Sequence, residues 1–535
     1  MAFPKRLHTA RTPLFRSLQR LLKLAHVANG KSKPPVDELA GLQRAAQMNR
    51  RDFLKMAGVA TAAIGSGSLV TSCATDRSRT APRVVIVGGG VAGLNAAYQL
   101  KRAGVRAEIF EASKRSGGRI YTAHDIMAPG LSTELGGEFI DSGHEEMLAL
   151  AKEFRLPLID VHGESEVNLR REAYFFGGTL RSENEAVAAF RPLAGKIAAD
   201  AEKMAGADFE HVGQAAALDK TSLAEYLSSI GANGWMRDLL EVAFVTEFGR
   251  DAGEQSAFNM LSMISADLSK NSLELLGESD ERYKIRGGNQ RITDELSQRV
   301  TGQIHYEQRL VAIRSRNRGF TLTFDDGAKE VSADFVIVTI PFTMLREVDL
   351  KIELPAYKKK AIAELGYGDN AKLLLGCKKR VWRELGQSGN IYSDETFQLA
   401  WDNSRLQGGI SGGLTLYSGG KAALDVGDGT PQEQAKRLRP GIEKAFPGLA
   451  EQFNGNVERF HWPTYPFTKA AYACYLPGQW TTIAGAEIKP VGNLFFAGEH
   501  CSRDFQGFMN GGAQTGKDAA HSVLKALRKR WMSGG

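Results

Sequence analysis

The feature that most restricts the fold is residues 84–119, VVIVGGGVAGLNAAYQLKRAGVRAEIFEASKRSGGR. It reads as strand, glycine turn, helix, strand and second glycine turn. Residues 84–87 are a short apolar β-branched run bounded by glycine, the pattern of a strand buried on both faces of a parallel sheet. Gly88, Gly90 and Gly93 follow as G-x-G-x-x-G, and the helix predicted over residues 91–103 starts at once, with Val91 and Ala92 in its first turn. The first glycine permits the tight turn, the second lets backbone approach a pyrophosphate, and the third lets helix and strand pack closely. The helix N-terminus offers unpaired N–H groups and a partial positive charge to that anion. Gly104 ends the helix and residues 106–110 form the next strand. Glu111 stands eighteen residues after Gly93, placed to accept hydrogen bonds from a ribose. G-x-G-x-x-G alone is weak evidence. With the strand before it, the helix after it and the acid at this distance, it points to a dinucleotide site rather than an ordinary glycine turn.

A chain of 535 residues has room for two or three domains and a large core. Its formal charge of +7 suggests an anionic partner until the distribution is examined. Residues 1–72 hold 12 Lys and Arg against 3 Asp and Glu, whereas the remainder holds 56 against 58. The basicity belongs to the N-terminus and the folded body is near neutral, so nucleic-acid binding is unsupported. Cys73, Cys377, Cys474 and Cys501 show no C-x-x-C spacing and no His/Cys cluster, which argues against a metal site or a disulfide framework; a single disulfide stays open.

Residues 1–47 are basic, with a Pro34-Pro35 break, and read as an extension preceding a true start at Met48; an amphipathic surface helix is the alternative. Residues 48–73 open with Arg50-Arg51-Asp52-Phe53-Leu54-Lys55, which resembles a twin-arginine export signal, followed by a Gly/Ala/Thr-rich run too short and weak to be a stable membrane span. Val70-Thr71-Ser72-Cys73 resembles a lipobox in which Cys73 is lipidated, with an ordinary cleavage site as the alternative. The expected location is the periplasm, or the membrane through that lipid. Residues 74–82 are a linker.

Beyond the linker the pattern predicts an α/β fold: a Rossmann-like domain assembled from separated segments, with a mixed-sheet and helical substrate domain. The nucleotide domain is expected from residues 83–140, 284–345 and 485–535, and the substrate domain from residues 141–283 and 346–484. Residues 134–140 read as a strand-and-glycine element, residues 182–204 and 223–248 as helical patterns, and residues 304–324 as a hairpin. Residues 333–339 read as another buried parallel strand, residues 371–377 and 413–417 as strands, residues 494–500 as the last strand and turn, and residues 507–527 as the last helix.

Several motifs between residues 83 and 527 together resemble the FAD-dependent amine oxidase family, of monoamine oxidase and L-amino acid oxidase type. Arg115-Ser116-Gly117-Gly118-Arg119 is similar to the family's second glycine turn, and Phe496-Ala497-Gly498-Glu499-His500 to its C-terminal flavin-contacting turn. A Rossmann unit alone serves NAD equally well; these two additions favour FAD. The resemblance implies that FAD is held by Gly88, Gly90, Val91, Ala92 and Gly93, by Glu111 and Ala112, and by Arg115, Gly118 and Arg119. It further implies Gly136, Gly137 and Glu138, Leu310 and Val311, Gly498 and Glu499, and Gly507, Phe508 and Met509 at the start of the last helix. Arg119 would meet phosphate with a two-donor fork, and Glu499 would accept from the ribityl or adenosine side.

The resemblance also implies three catalytic residues. Tyr472 and Phe508 match an aromatic pair flanking the amine, where ring faces guide it and attract its protonated form; taken singly, either is more often core packing. Lys372 matches a lysine that holds a water beside the flavin, although local sequence equally fits an exposed edge-strand lysine. Ala471 occupies the place of a cysteine that bonds flavin in monoamine oxidases, which implies non-covalent FAD. L-Amino acid oxidases carry a carboxylate-clamping arginine just after E-L-G; Gly137-Glu138-Phe139-Ile140 stands there instead, favouring an amine without an α-carboxylate unless Arg170, Arg171 or Arg250 substitutes. Glu138, Glu247 and Glu254 would suit the distal ammonium of a diamine, or are solvated helix charges. The implied activity is oxidative deamination by hydride transfer to flavin N5, with O2 as partner and hydrogen peroxide as product. The alternatives are an L-amino acid oxidase or tryptophan 2-monooxygenase-like enzyme, and a flavin-binding lipoprotein that passes electrons to a partner. A homodimer is left open.

Overall fold

The computed structural model of the protein describes residues 82–204, 206–268, 272–277 and 279–532. The basic extension, the twin-arginine stretch, Cys73 and all of the linker but Pro82 lie outside the described residues.

Val84–Val87 is the central strand of a five-stranded parallel sheet ordered Leu494–Phe496, Phe335–Val338, Val84–Val87, Ala107–Phe110, Ile304–His305. Alternation along these strands divides the core. Val85, Val87, Val336 and Phe496 pack on one face, and Val84, Ile86, Ile337 and Phe495 on the other. Covering both faces is what makes every position of the run apolar rather than every second one.

The helix Val91–Arg102 covers the second face with Leu94, Ala97 and Leu100, and the closing helix Met509–Met532 adds Ala513, Ala520 and Val523 to the same core. The two helices meet where the first one starts. A Cβ added at Gly516 would fall 2.1 Å from the Ala92 carbonyl oxygen, and one at Gly512 would fall 2.9 Å from Val91 Cγ1. Only glycine permits this approach, and it brings the start of the last helix beside the first glycine turn.

A seven-stranded mixed sheet forms a second layer, ordered Phe453–His461, Asn370–Cys377, Gly412–Gly419, Leu399–Asp402, Ile391–Ser393, Ala173–Phe176, Thr179–Arg181. Helices from residues 183–261 pack beside it. Two of them, Glu183–Lys203 and Leu223–Ser229, begin at capping boxes in which Ser182 and Ser222 exchange hydrogen bonds with Glu185 and Glu225.

Three local expectations are corrected. Residues 223–248 form two helices, Leu223–Ser229 and Gly234–Phe248, because the chain takes positive φ at Gly231 between them and again at Gly234, where the second begins. The hairpin is Leu310–Ser315 with Phe320–Phe324 only; Ile304–His305 joins the parallel sheet. Residues 134–140 are not a strand beyond Glu134, since Gly136 and Gly137 turn the chain toward the cavity. Cys377, Cys474 and Cys501 are buried and unpaired.

Candidate active site

The two glycine turns are joined edge to edge, with Gly117 N donating to Gly89 O at 2.8 Å. Gly88 has φ 105°, and a Cβ there would sit 2.6 Å from Thr339 Oγ1; at Gly93 it would sit 2.0 Å from Gly88 O. At Gly90 the nearest heavy atom to such a Cβ is Gly118 Cα, 3.9 Å away across the second turn. The helix that starts there has no side-chain cap, so its first N–H groups face the cavity that Val91 and Ala92 line. Glu111 accepts from Gly89 N at 2.6 Å and from Ser113 N at 2.8 Å, and lines the same cavity. An uncapped helix start between two glycine turns, with a carboxylate at its edge, fits the pyrophosphate and ribose of FAD.

Arg115 is corrected. Its guanidinium donates to the carbonyls of Ser116, Gly118 and Ile120 and lies 3.9 Å from the Tyr121 ring centroid, bracing the second turn from behind rather than lining the cavity. Gly93, Ala112, Leu310 and Val311 also stay out of the lining. Gly93 packs on Gly88, and Leu310 is buried in the core.

Arg119 lines the cavity, but the fork expected for phosphate is partly committed. Its Nη1 donates to Glu499 Oε1 at 2.7 Å and to Ala471 O at 2.8 Å. Glu499 also accepts from Gly507 N at 2.9 Å and Ala473 N at 3.3 Å. One buried carboxylate thus ties together the second glycine turn, residues 471–473 and the start of the closing helix. Gly498, Gly507 and Met509 line the cavity beside it.

Lys372 is 3% exposed on Asn370–Cys377, a strand paired on both sides, so the edge-strand alternative does not hold. Its Nζ donates to Glu134 O and Gly136 O, each at 2.9 Å, and to Glu138 Oε2 at 3.0 Å. An ammonium has three N–H donors, and all three have protein acceptors, which leaves none for the water that the resemblance assigned to it. Lys284 Nζ donates to the other Glu138 oxygen at 2.7 Å. Burial alone would raise Glu138, but the two ammonium groups hold it below the ordinary carboxylate range. Glu138 is therefore occupied and is removed from the acids available to a substrate. Burial pushes neighbouring Glu134 up to about 7, against Lys284 and hydrogen bonds from Asn289 and Thr122. Gly136 and Gly137 permit this crowding: a Cβ would lie 1.9 Å from Arg119 O at the first and 2.7 Å from Met509 Cγ at the second.

Tyr472 and Phe508 line the cavity beyond this point. The Tyr472 hydroxyl pairs with that of Tyr417 at 2.9 Å, and Phe508 stands edge-on to His144 with ring centroids 5.1 Å apart. Tyr417, Trp401 and Tyr392 complete aromatic walls that the sequence reading missed, although the alternation of Gly412–Gly419 was a signal for Tyr417.

Besides Glu111, Glu138 and Glu499, four further carboxyls line the cavity: Asp141, Glu172, Glu247 and Glu281. Asp141 accepts from Ser279 Oγ at 2.7 Å and Glu281 N at 3.0 Å, and Glu172 from Tyr174 Oη at 3.1 Å. The carboxyls of Glu247 and Glu281 have no hydrogen-bond or ion-pair partner among the described residues. Burial and like charge raise all four, Glu247 well above the usual range and Glu281 to about 8. Glu247 also sits in the last turn of Gly234–Phe248, where the helix dipole disfavours an anion. Glu254 lies outside the cavity beside Arg250, which also donates to Tyr367 O. Arg170, Arg171 and Arg250 are all absent from the lining.

A family profile described as flavin containing amine oxidoreductase matches residues 91–524, and one for the twin-arginine translocation pathway signal sequence matches residues 47–67. A putative flavin-containing monoamine oxidase AofH of Mycobacterium tuberculosis is 26% identical over 462 residues, covering 83% of this chain and 97% of that protein. Cyclohexylamine oxidase of Brevibacterium oxydans superposes with a TM-score of 0.72 at 21% identity, covering 84% of this chain and 99% of its own. Putrescine oxidase in complex with putrescine does so at 0.70 and 19%, covering 83% and 99%. At these identities the two structures establish a shared fold.

Proposed function

The chain belongs to the flavin-containing amine oxidoreductase family and is an FAD-dependent enzyme with a twin-arginine signal; on that premise we propose that its substrate is an amine without an α-carboxylate. The observation that carries this reading is the charge of the cavity. Its lining has two basic residues, Lys372 and Arg119, and each is already bonded to a carboxylate, whereas Asp141, Glu172, Glu247 and Glu281 face the substrate space. A substrate carboxylate would find no uncommitted cation there to clamp it, while a protonated amine would draw these carboxyls toward ionisation and pair with them.

The chemistry that FAD supplies when bound is two-electron oxidation of a carbon–nitrogen bond, with reoxidation by O2 to hydrogen peroxide. The protein's part is to bind and orient. Gly88, Gly90, Val91, Ala92 and Glu111 would hold the nucleotide end, assisted by Gly118 and the uncommitted nitrogens of Arg119. Gly136, Gly137, Gly498, Gly507 and Met509 would form the narrow part of the cleft, where added side chains would close it. Tyr472 and Phe508 would guide the amine, with the Tyr417 hydroxyl fixing the Tyr472 ring. Lys372, with its donors saturated, would act as a fixed buried charge rather than as a proton carrier.

The parallel sheet draws on residues 84–110, 304–305, 335–338 and 494–496, which supports an FAD-binding domain of residues 83–140, 284–345 and 485–535. Twin-arginine export carries folded proteins, so FAD can be inserted beforehand. Val70-Thr71-Ser72-Cys73 supports a lipoprotein held at the membrane by Cys73 after export to the periplasm.

The test is anaerobic mixing of the FAD-loaded protein with amine and L-amino acid panels. Bleaching of the flavin by amines is the expected result. Bleaching by amino acids alone would replace this reading with an amino acid oxidase, and bleaching by neither would leave an electron-transfer flavoprotein.

A further inference from the structure

We propose that the cavity contains a second cation subsite, formed by Glu247 and Glu281, and that the substrate is therefore a diamine or longer polyamine whose unreacted ammonium rests there. The proposal rests on the amine oxidase reading above and specifies its substrate class.

The carboxyls come from separate parts of the chain. Glu247 ends the helix Gly234–Phe248, Glu281 precedes the strand Tyr283–Ile285, and Glu172 precedes Ala173–Phe176. Tertiary structure turns all of them, with Asp141, into one aromatic-walled space bounded by Tyr392, Trp401 and Tyr417. Among the described residues the carboxyls of Glu247 and Glu281 have no hydrogen-bond or ion-pair partner, and both residues line the cavity. An enclosed carboxylate without a partner is costly, and Glu247 adds an opposing helix dipole. A carboxyl pair placed at that cost, beside aromatic faces that attract cations, matches an ammonium in both charge and surface.

That ammonium cannot be the reacting nitrogen. Loss of hydride from the α-carbon needs the nitrogen lone pair, and a carboxylate beside the reacting nitrogen would keep it protonated. The acids therefore suit a nitrogen that stays charged through turnover. Glu138, which sequence favoured equally, is not part of this subsite because Lys372 and Lys284 occupy both of its oxygens.

The experiment compares n-alkylamines with α,ω-diamines of equal chain length on the FAD-loaded enzyme. It measures anaerobic flavin bleaching and, separately, equilibrium binding by calorimetry. The expected result is tighter binding of diamines by about tenfold or more, as for hydrogen bonds to charged groups, with that ratio collapsing in Glu247→Gln and Glu281→Gln. Both replacements are isosteric, and circular dichroism with retained FAD absorbance verifies that each variant is folded. Equal binding of the two series, or a ratio unmoved in both folded variants, overturns the subsite while leaving amine oxidation intact. Preferential diamine binding without bleaching supports the subsite and overturns the oxidase reading instead. Absence of both binding and bleaching overturns both.

Discussion

Lys372 and Tyr417 stand directly opposite one another on adjacent antiparallel strands, Asn370–Cys377 and Gly412–Gly419. Cross-strand partners share a face of the sheet, so this register places a buried ammonium and the hydroxyl that holds Tyr472 on the same cavity wall. The arrangement couples charge and aromatic alignment through a single pair of strands.

Lys372→Met should both destabilise the protein and slow turnover. It leaves the carbonyls of Glu134 and Gly136 without this donor and Glu138 with Lys284 alone. The expected cost is about 2–4 kcal/mol, within the range for breaking a buried ion pair. Urea denaturation reads the first effect, and stopped-flow reduction and reoxidation read the second. Unchanged rates in both half-reactions would remove Lys372 from the site.

Arg119→Ala should weaken FAD binding and cost the fold about 2 kcal/mol, less than a fully buried pair because Arg119 retains some exposure. Glu499 would keep only its backbone donors at Ala473 and Gly507. Fluorescence titration with FAD and denaturation of the apoprotein separate the effects. Lost FAD affinity at unchanged apoprotein stability would show that Arg119 acts on the cofactor directly and not through Glu499.

Gly136→Ala should be far more damaging than Gly137→Ala. The first Cβ would meet the Arg119 carbonyl, which cannot move without the glycine turn, whereas the second meets the flexible side chain of Met509. Overpacking that a side chain can absorb costs about 1 kcal/mol, and backbone displacement about 3 kcal/mol or more. Denaturation midpoints and FAD content of the two variants check the order, and a milder Gly136→Ala would contradict it.

The stability that Glu281 contributes to the substrate-free enzyme should be lost as pH rises from about 5 to 8. Glu281 titrates at about 8 in the folded chain because burial and the charges of Asp141, Glu172 and Glu138 outweigh Arg171, but at its ordinary value when unfolded. Across that interval the native state holds a proton that the unfolded state has lost, so raising the pH favours unfolding. Thermal midpoints against pH should show a shallower decline in Glu281→Gln. A diamine should bind more tightly toward pH 8 and release protons, measurable by calorimetry in buffers of different ionisation enthalpy.

The nucleotide end was legible because it depends on local rules. A buried strand, glycines where no Cβ fits and an uncapped helix start all leave marks within thirty-odd residues; the family and FAD needed in addition the resemblance of the distant Phe496-Ala497-Gly498-Glu499-His500 turn, and the export signal its own motif at residues 50–55. Even so, Arg115 and Arg119 looked alike in sequence. One braces its own turn while the other reaches Glu499, 380 positions away.

The substrate end was legible only in part. Tyr472, Phe508 and Lys372 were named from a resemblance, and all three line one cavity. Glu138, Glu247 and Glu254 could not be told apart, because an acid beside a lysine and an acid facing an empty wall have the same local pattern.

The sequence by itself determined the strand, helix and glycine grammar of the nucleotide cradle, since backbone sterics and burial on both faces act over a few neighbouring residues. Tertiary structure alone decided which charges are paired. Lys284 and Lys372 converge on Glu138 from distant strands, whereas Glu247 and Glu281 line one cavity and, among the described residues, neither carboxyl has an ion-pair partner. Electrostatic pairing depends on distance through the fold rather than along the chain, so which cavity charges stay unpaired is decided where the sequence carries no local record of it.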